Sequence, residues 1–424
     1  MGAGGIHMSR TAWRIVLVGV ILLCFVLVGM LSLQGLTGGG GTGADIATST
    51  ETSASMDQAD VDRLRSLPYA AYSDEQADLS KTGVVNFDRN RSYPGRNLYV
   101  IRELCRAELL DETGRVLNSW EDPGYIFWQD CVLQPDGTFW VVGKKKPRQE
   151  PGDFYRRGVV VFSWDSSQRR EIKLPVHHDV TVEPGKPVMV LQFRLRDIPE
   201  IHPSVPVLDN VIASLSEDGE ILEEASLYDI LSRSDQFEFL NVAPHEVNNF
   251  IDLFHANTIE WVGFDSKVAD IYGSGNILVT MRHQDAVVII DWKQKKLLWS
   301  WGQRHISGPH HASMLENGRI LLFDNGIARG ASRVIEVNPL SREIDWQYVG
   351  TRQRPLISIT MGGTQRLPNG NTLITASNRG RVIEVTPRGE IVWEFRTPHM
   401  NDQDHRFNIE RMKRYPIDYL HDDP

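Results

Sequence analysis

Cysteine is scarce: the chain of 424 residues has three, and none is arranged as C-x-x-C. That excludes a disulfide-stapled fold and a zinc ion held by thiolates. A surplus of positive charge is missing too. Lys and Arg number 45 against 55 Asp and Glu, a formal charge of −10, and a nucleic-acid binder needs a basic face to meet phosphates. No G-x-x-x-x-G-K stretch occurs, so there is no Walker-type phosphate loop. Only one apolar run is long enough to cross a bilayer, which excludes a polytopic transporter.

That run is Ile15 to Leu33, IVLVGVILLCFVLVGMLSL, with Arg10 and Arg14 before it and no ionisable residue after it until Asp45. A helix of about 20 apolar residues spans the hydrocarbon core. The positive-inside rule puts residues 1–14 in the cytoplasm and the bulk of the chain outside, on the periplasmic or extracytoplasmic side of the cell membrane. The rival reading is a cleaved signal peptide, whose apolar core is shorter, about 7–15 residues. Residues 34–83 read as a Gly/Thr/Ser/Ala-rich linker followed by a short helical lead-in around 57–67. Cys24 lies in the apolar run. Cys105 and Cys131 fall in the exported part, where one disulfide between them is plausible.

From 84 to 424 the pattern is short apolar runs broken by turn residues. Three segments align: VVIIDWKQKKLLWSWG, RVIEVNPLSREIDWQYVG and RVIEVTPRGEIVWEFR. Their tryptophans, Trp299, Trp346 and Trp393, are spaced 47 and 47 apart. A second kind of hairpin alternates with these, as in QPDGTFWVVG, LENGRILLFD and LPNGNTLITA, with D-G or N-G at the turn. Two hairpins per repeat make four strands, the unit of a propeller blade. With weaker copies at Trp120, VVVFSWDSSQRREIKL and VIASLSEDGEILEE, the repeat predicts an all-β, six-bladed β-propeller preceded by one N-terminal transmembrane helix.

The innermost strand of each blade lines the central channel. Seven residues before the hairpin glycine stand Asp130, His178, His311 and Gly363, and His255 precedes GSGNIL in the remaining long blade. His177 and His310 flank two of these. Any one histidine more often satisfies a local hydrogen bond than performs chemistry. Imidazoles recurring at equivalent repeat positions point instead to a nucleophile, a base or metal ligands. Arg282 and Arg329 lie in loops beside them, with forks of donors suited to a sulfate or phosphate oxygen pair, or with solvated charges.

HANTIEW, TMRHQDAVVIIDW, PHHASMLENGRILLFDNGIAR, SRVIEV and GEIVWEF together resemble the bacterial arylsulfotransferases of the six-bladed propeller type, from about Val84 to Tyr419. The resemblance implies an exported enzyme without a cofactor that moves a sulfuryl group from a phenolic sulfate ester to a phenol through a sulfo-histidine. It implies that His255, His311 and Arg329 are catalytic; by their positions beside these, Arg282, His310 and His178 are candidates for binding substrate. The family's attacking histidine lies near the C-terminus, and His405 is the nearest candidate, with His399 a second. Another register sets Arg411 on the family arginine and Ile409 where the histidine belongs, and then the nucleophile is lost or moved. Two alternatives stay open: a metal-dependent lyase or hydrolase using the same imidazoles, and a binding propeller without catalysis.

Overall fold

The computed structural model describes residues 72–146, 156–240, 249–262, 270–351 and 355–421. The chain divides into two units, Met1–Ser53 and Ala54–Pro424, and the described residues belong to the second. The apolar run 15–33 and the helical patch 57–67 lie outside them. Among the described residues no helix is long and apolar enough to cross a membrane.

Six antiparallel sheets built on four strands each form the six-bladed propeller that the repeat predicts. Blade two runs outward from the channel as Tyr125–Leu133, Phe139–Lys145, Arg157–Phe162 and Arg169–Ile172. Blades three to five start with the inner strands Val176–Thr181, Ala256–Trp261 and His310–Met314, and blade six starts with Gly363–Arg366. Blade one is composite. Its inner strand is the C-terminal Ile409–Tyr415, paired antiparallel with Arg96–Ile101, which leads to Arg106–Leu110 and Val116–Glu121. The early strand Gly83–Phe87 adds to the outer edge of blade six. Both ends of the propeller sequence therefore fasten the ring.

The repeated tryptophan has a physical reason. It sits on the outermost strand and donates its indole N–H to a backbone carbonyl in a turn of the next blade. Trp299 reaches Pro339 at 2.9 Å, Trp346 reaches Pro387 at 2.9 Å, Trp393 reaches Glu112 at 3.0 Å and Trp120 reaches Ser163 at 3.2 Å. Each supplies a large apolar surface and one directed bond between blades, the two things an indole combines. Between the sheets, Val, Ile and Leu from second and third strands fill the core, for example Ile277, Val279, Val288 and Ile290. Their near-continuous apolar runs reflect burial on both sheet faces.

The pairing corrects one equivalence drawn from the hairpin glycines. Cys131 faces Val141, Val180 faces Val190 and Ala312 faces Leu322. The residues just before these are Asp130, Asp179 and His311. In blade three the glycine, Gly185, falls one position earlier in its turn, so Asp179 takes the place expected of His178. The register slips at this level in five inner strands. At or beside three of the slips a histidine adopts the left-handed backbone: His178 at φ 59°, His255 at 46° and His311 at 41°. Such a conformation costs a non-glycine residue about 1–3 kcal/mol and persists only where packing imposes it.

The ring closure carries a testable consequence. Arg414 of the C-terminal strand forms a fully buried ion pair with Glu384 of blade six, donates from Nε to Asn97 Oδ1 at 2.7 Å, and lies 4.7 Å from the Trp393 ring centroid. Removing one partner leaves a buried charge without compensation. Glu384→Ala is expected to lower unfolding stability by about 3–5 kcal/mol in denaturant titration. A loss below ~1 kcal/mol contradicts this account of the closure.

Candidate functional site

The inner strands begin at one end of the channel, where the turns between second and third strands also lie. There, five histidines gather. His177 and His178 open the inner strand of blade three, and their Nδ1 atoms are 2.8 Å apart. His178 packs edge-on against His255, ring centroids 4.8 Å apart, and His255 lies 4.6 Å from His283. His283 comes from the second-to-third turn of blade four. His310 opens the inner strand of blade five.

Asp252 orders the centre of this group. It lies on a two-residue strand, Ile251–Asp252, that pairs parallel with Val207–Leu215 of blade three. Its carboxylate accepts from His255 Nδ1–H at 2.6 Å, and its backbone carbonyl accepts from His283 Nδ1–H at 2.7 Å. Both bonds fix the tautomer, which leaves the lone pair on Nε2 of each ring. His283 Nε2 accepts from Arg282 at 2.9 Å. His310 donates from Nδ1 to Asn325 Oδ1 at 2.8 Å, and its buried Nε2 has no hydrogen-bond partner.

Burial favours the neutral form of His177, His178, His283 and His310. It lowers His177, His178 and His310 well below the ordinary imidazole range, and Arg157, His255 and Arg282 respectively are among the neighbouring groups that add to the effect. His283 is brought down to about 3, with burial opposed by Asp252. Burial alone would raise Asp252, but the imidazoles of His255 and His283 outweigh it and hold the carboxyl below its usual range. A neutral imidazole is the form that can attack or accept a proton.

A wall of aromatic rings and guanidinium groups flanks the imidazoles. His177 stacks on Phe193, centroids 3.7 Å apart at 4°. Arg157 lies 5.2 Å from the Phe193 centroid and 5.3 Å from that of Phe127, and Arg102 covers Phe127 at 4.3 Å. Gln129 Oε1 accepts from the His178 backbone N–H at 2.8 Å and from Arg157 at 3.3 Å.

Further along the inner strands a cavity of about 220 Å³ is lined by Asp130, Asp179, Glu260, His311, Arg411 and Lys413, among others. Asp130 takes Lys413 at 2.9 Å and Arg411 at 3.2 Å. Asp130 and Asp179 are joined by a hydrogen bond, with the proton on Asp179. Burial raises Asp179 and the nearby Asp130 charge raises it further, whereas Arg411 and Lys413 overcome burial and hold Asp130 down. His311 Nδ1 accepts from the Thr364 backbone N–H at 3.0 Å, so its proton sits on Nε2. Glu260 is pushed up to about 8 by burial.

The structure thus brings His178, His255, His310 and Arg282 to one end of the channel and sets His311 in the cavity along the same strands. Three expectations are corrected. His405 lies on the short strand His405–Phe407, paired with Tyr72–Gln76, and its Nδ1 is bound to the Ser73 carbonyl at 2.7 Å. That strand belongs to a separate two-stranded sheet, so His405 does not line the channel. The alternative His399 is tied to Glu108 at 3.1 Å. Arg329 turns back onto the buried carboxylate of Asp324, 2.9 Å away, which also holds Arg333 at 2.9 Å. The disulfide is not formed: Cys105 and Cys131 are buried free thiols, and burial pushes Cys105 up to about 12. Ile409 and Arg411 both lie on the inner strand of blade one. Ile409 is fully buried in the core and Arg411 lines the channel cavity.

Sequence reasoning missed Asp252, His283, Asp179, Arg411 and Lys413 as members of these groups. His283 could have been found, since it adjoins Arg282 in MRHQ. Asp252, in D-x-x-H with His255, was visible as a local pair. Arg411 and Lys413 needed knowledge of which strand closes blade one.

The arylsulfotransferase (ASST) family profile matches residues 162–398, more than half of the chain, and the chain belongs to that family. No curated protein matches it. Among solved structures it is similar to a protein of unknown function from Bacteroides caccae at 14 % identity, over 76 % of this chain and 98 % of that one, with a TM-score of 0.45. It is also similar to a streptogramin B lyase at 12 % identity, over 80 % and 96 %, with a TM-score of 0.42. A third is AztD from Citrobacter koseri at 9 % identity, over 76 % and 98 %, with a TM-score of 0.38. At these values the likenesses carry no argument about function.

The buried carboxyl groups set a pH dependence. Glu260 and Glu103 are both raised to about 8, burial being the first cause for each. Each holds a proton in the folded protein that it releases on unfolding above its ordinary range, so stability falls as pH rises toward 8. The depressed histidines act oppositely, but only below about pH 6.5. Between pH 6.5 and 8 unfolding stability is therefore expected to decline, and Glu260→Gln to flatten the decline by up to roughly 1.4 kcal/mol per pH unit. An unchanged slope in the variant contradicts the assignment.

Proposed function

We propose that this family member transfers a sulfuryl group between phenols and that His255 is the group that carries it. The observation that supports this is the 2.6 Å hydrogen bond from His255 Nδ1 to Asp252, which orients the ring and leaves its Nε2 lone pair for attack. In the first step Nε2 bonds to the sulfur of an aryl sulfate and the sulfur–oxygen bond to the aryl group breaks. The aryl oxygen leaves as a phenolate and takes a proton. In the second step an acceptor phenol gives its proton to a neighbouring base and its oxygen takes the sulfur, which frees His255.

His310 Nε2, buried with an open lone pair, suits the base. The fork of Arg282, also buried, suits the sulfuryl oxygens, whose charge spreads in the transition state. Phe127 and Phe193 offer a face for an aryl ring. In this reading His255, oriented by Asp252, takes the nucleophile's part that the resemblance assigned to a C-terminal histidine. We further propose that residues 15–33 hold the enzyme at the outer face of the cell membrane, on the strength of the uncharged run and the arginines before it.

Labelled aryl sulfate, quenched within one turnover, is expected to leave an acid-labile sulfo group on the peptide that contains His255. His255→Ala should abolish the label and Asp252→Asn should slow it by about 10²–10³. Label on His405, or full activity of His255→Ala, defeats this reading.

A second reading is favoured by one observation. Single ligand atoms of Asp252, His255 and His283 all lie within 4.8 Å of one another, a set suited to a divalent transition metal. Metal analysis of the purified protein separates the two. A stoichiometric ion whose removal abolishes activity would support metal-assisted chemistry. Full activity in chelator with no ion bound removes it.

A further inference from the structure

The largest cavity described lies elsewhere, against the side of blade six. It has a volume of about 630 Å³, and its walls come from the strand Tyr72–Gln76 and the turn after it, from Gly83–Phe87, from the loop before the inner strand of blade six, from that blade's second-to-third turn and its third and fourth strands, and from Arg406. Five basic side chains line it, Lys81, Arg379, Arg381, Arg396 and Arg406, against two acidic ones, Asp78 and Glu394.

The charges do not cancel in pairs. Glu394 serves two guanidinium groups at once, Arg381 at 2.9 Å and Arg396 at 2.9 Å. Asp78 is held by Lys81 at 2.9 Å. Arg406 is 3 % exposed, and its hydrogen bonds run to the backbone carbonyls of Thr397, Asp78 and Lys81. Burial lowers the Arg406 pKa and the neighbouring Arg396 lowers it further, the mark of a cation facing a cation. Arg379 closes the second-to-third turn of blade six, as Arg329 closes that of blade five.

The remaining lining selects among anions. Ser73, Gln76 and Asn86 present hydroxyl and amide groups, and no aromatic side chain is among the described lining residues. Bases of single-stranded nucleic acid need aromatic faces to stack on. Sugar hydroxyls instead suit amides and hydroxyls, and guanidinium forks suit sulfate or carboxylate. A volume of this size is far more than one inorganic anion fills.

We propose that this cavity is a binding subsite for an acidic oligosaccharide bearing sulfate or carboxylate groups. This site goes beyond the sulfuryl-transfer reading and does not depend on it, because its test is binding alone.

The test measures anisotropy of a fluorescent, multiply sulfated tetrasaccharide with the full-length protein in detergent. Binding is expected to weaken with added salt. Arg379→Gln and Lys81→Gln, both partly exposed, should each weaken it by about tenfold, and more together, since each removes a charge-assisted contact. Arg170→Gln, which removes a guanidinium that bonds the Glu217 carbonyl and lies outside the cavity, should leave it unchanged. Thermal unfolding identifies any variant that fails to fold, and the two single substitutions check each other. No binding, equal loss in Arg170→Gln, or equally tight binding of a single-stranded oligonucleotide of the same charge overturns the proposal. Activity assays do not enter it, so a failed sulfuryl-transfer reading leaves the result interpretable.

Discussion

The pairing of Ile409–Tyr415 with Arg96–Ile101 governs the rest of the structure. A propeller is a ring of sheets, and a ring made from one chain needs a joint. Here the C-terminal strand becomes the innermost strand of the blade whose other three strands come from the start of the propeller sequence. Loop-closure entropy across some 300 residues grows only slowly with length, so the joint is affordable if its local contacts are strong. The buried Arg414–Glu384 pair and the Trp393 ring supply them. The same strand shapes the chemistry of the channel, because it puts Arg411 and Lys413 beside Asp130.

The neighbouring blades contribute the imidazoles. Four buried imidazoles held in the neutral form, those of His177, His178, His283 and His310, gather at one end of the channel around His255, which a carboxylate orients. Packing them so closely while charged would cost several kcal/mol per group by desolvation and mutual repulsion. The protein avoids that cost by lowering their proton affinity, which is also what a nucleophile or base requires near neutral pH. Farther along the inner strands the opposite device appears: two carboxyl groups joined by a hydrogen bond, one of them protonated, lie beside two cations. The channel thus holds proton acceptors at its mouth and a hydrogen-bonded carboxyl pair deeper in.

Much of the fold was legible because it repeats. A tryptophan every 47 residues, glycine turns between apolar alternations and six approximate copies leave little besides a propeller. The inner strand of blade one was not legible, since strand exchange between chain ends leaves no periodic trace. His178, His255 and His311 were found as a recurring type, yet their left-handed backbone and the register slips beside them were invisible to spacing. The slip is what put Asp179, not His178, in line with Asp130. Arg329 and His405 failed for a different reason. Each is at a plausible distance along the chain, but a local partner, Asp324 for one and the Ser73 carbonyl for the other, claims the side chain. Sequence spacing cannot weigh a near hydrogen bond against a distant site.

The central claim is that Asp252 orients His255 so that Nε2 is the atom that attacks sulfur. A crystal structure with an unreactive aryl sulfonate bound tests it most directly. The account expects the sulfur at roughly 3–3.5 Å from His255 Nε2, the near-attack distance, with Arg282 on its oxygens. A sulfonate bound beside His405, or a metal ion joining Asp252, His255 and His283 in its place, would contradict it.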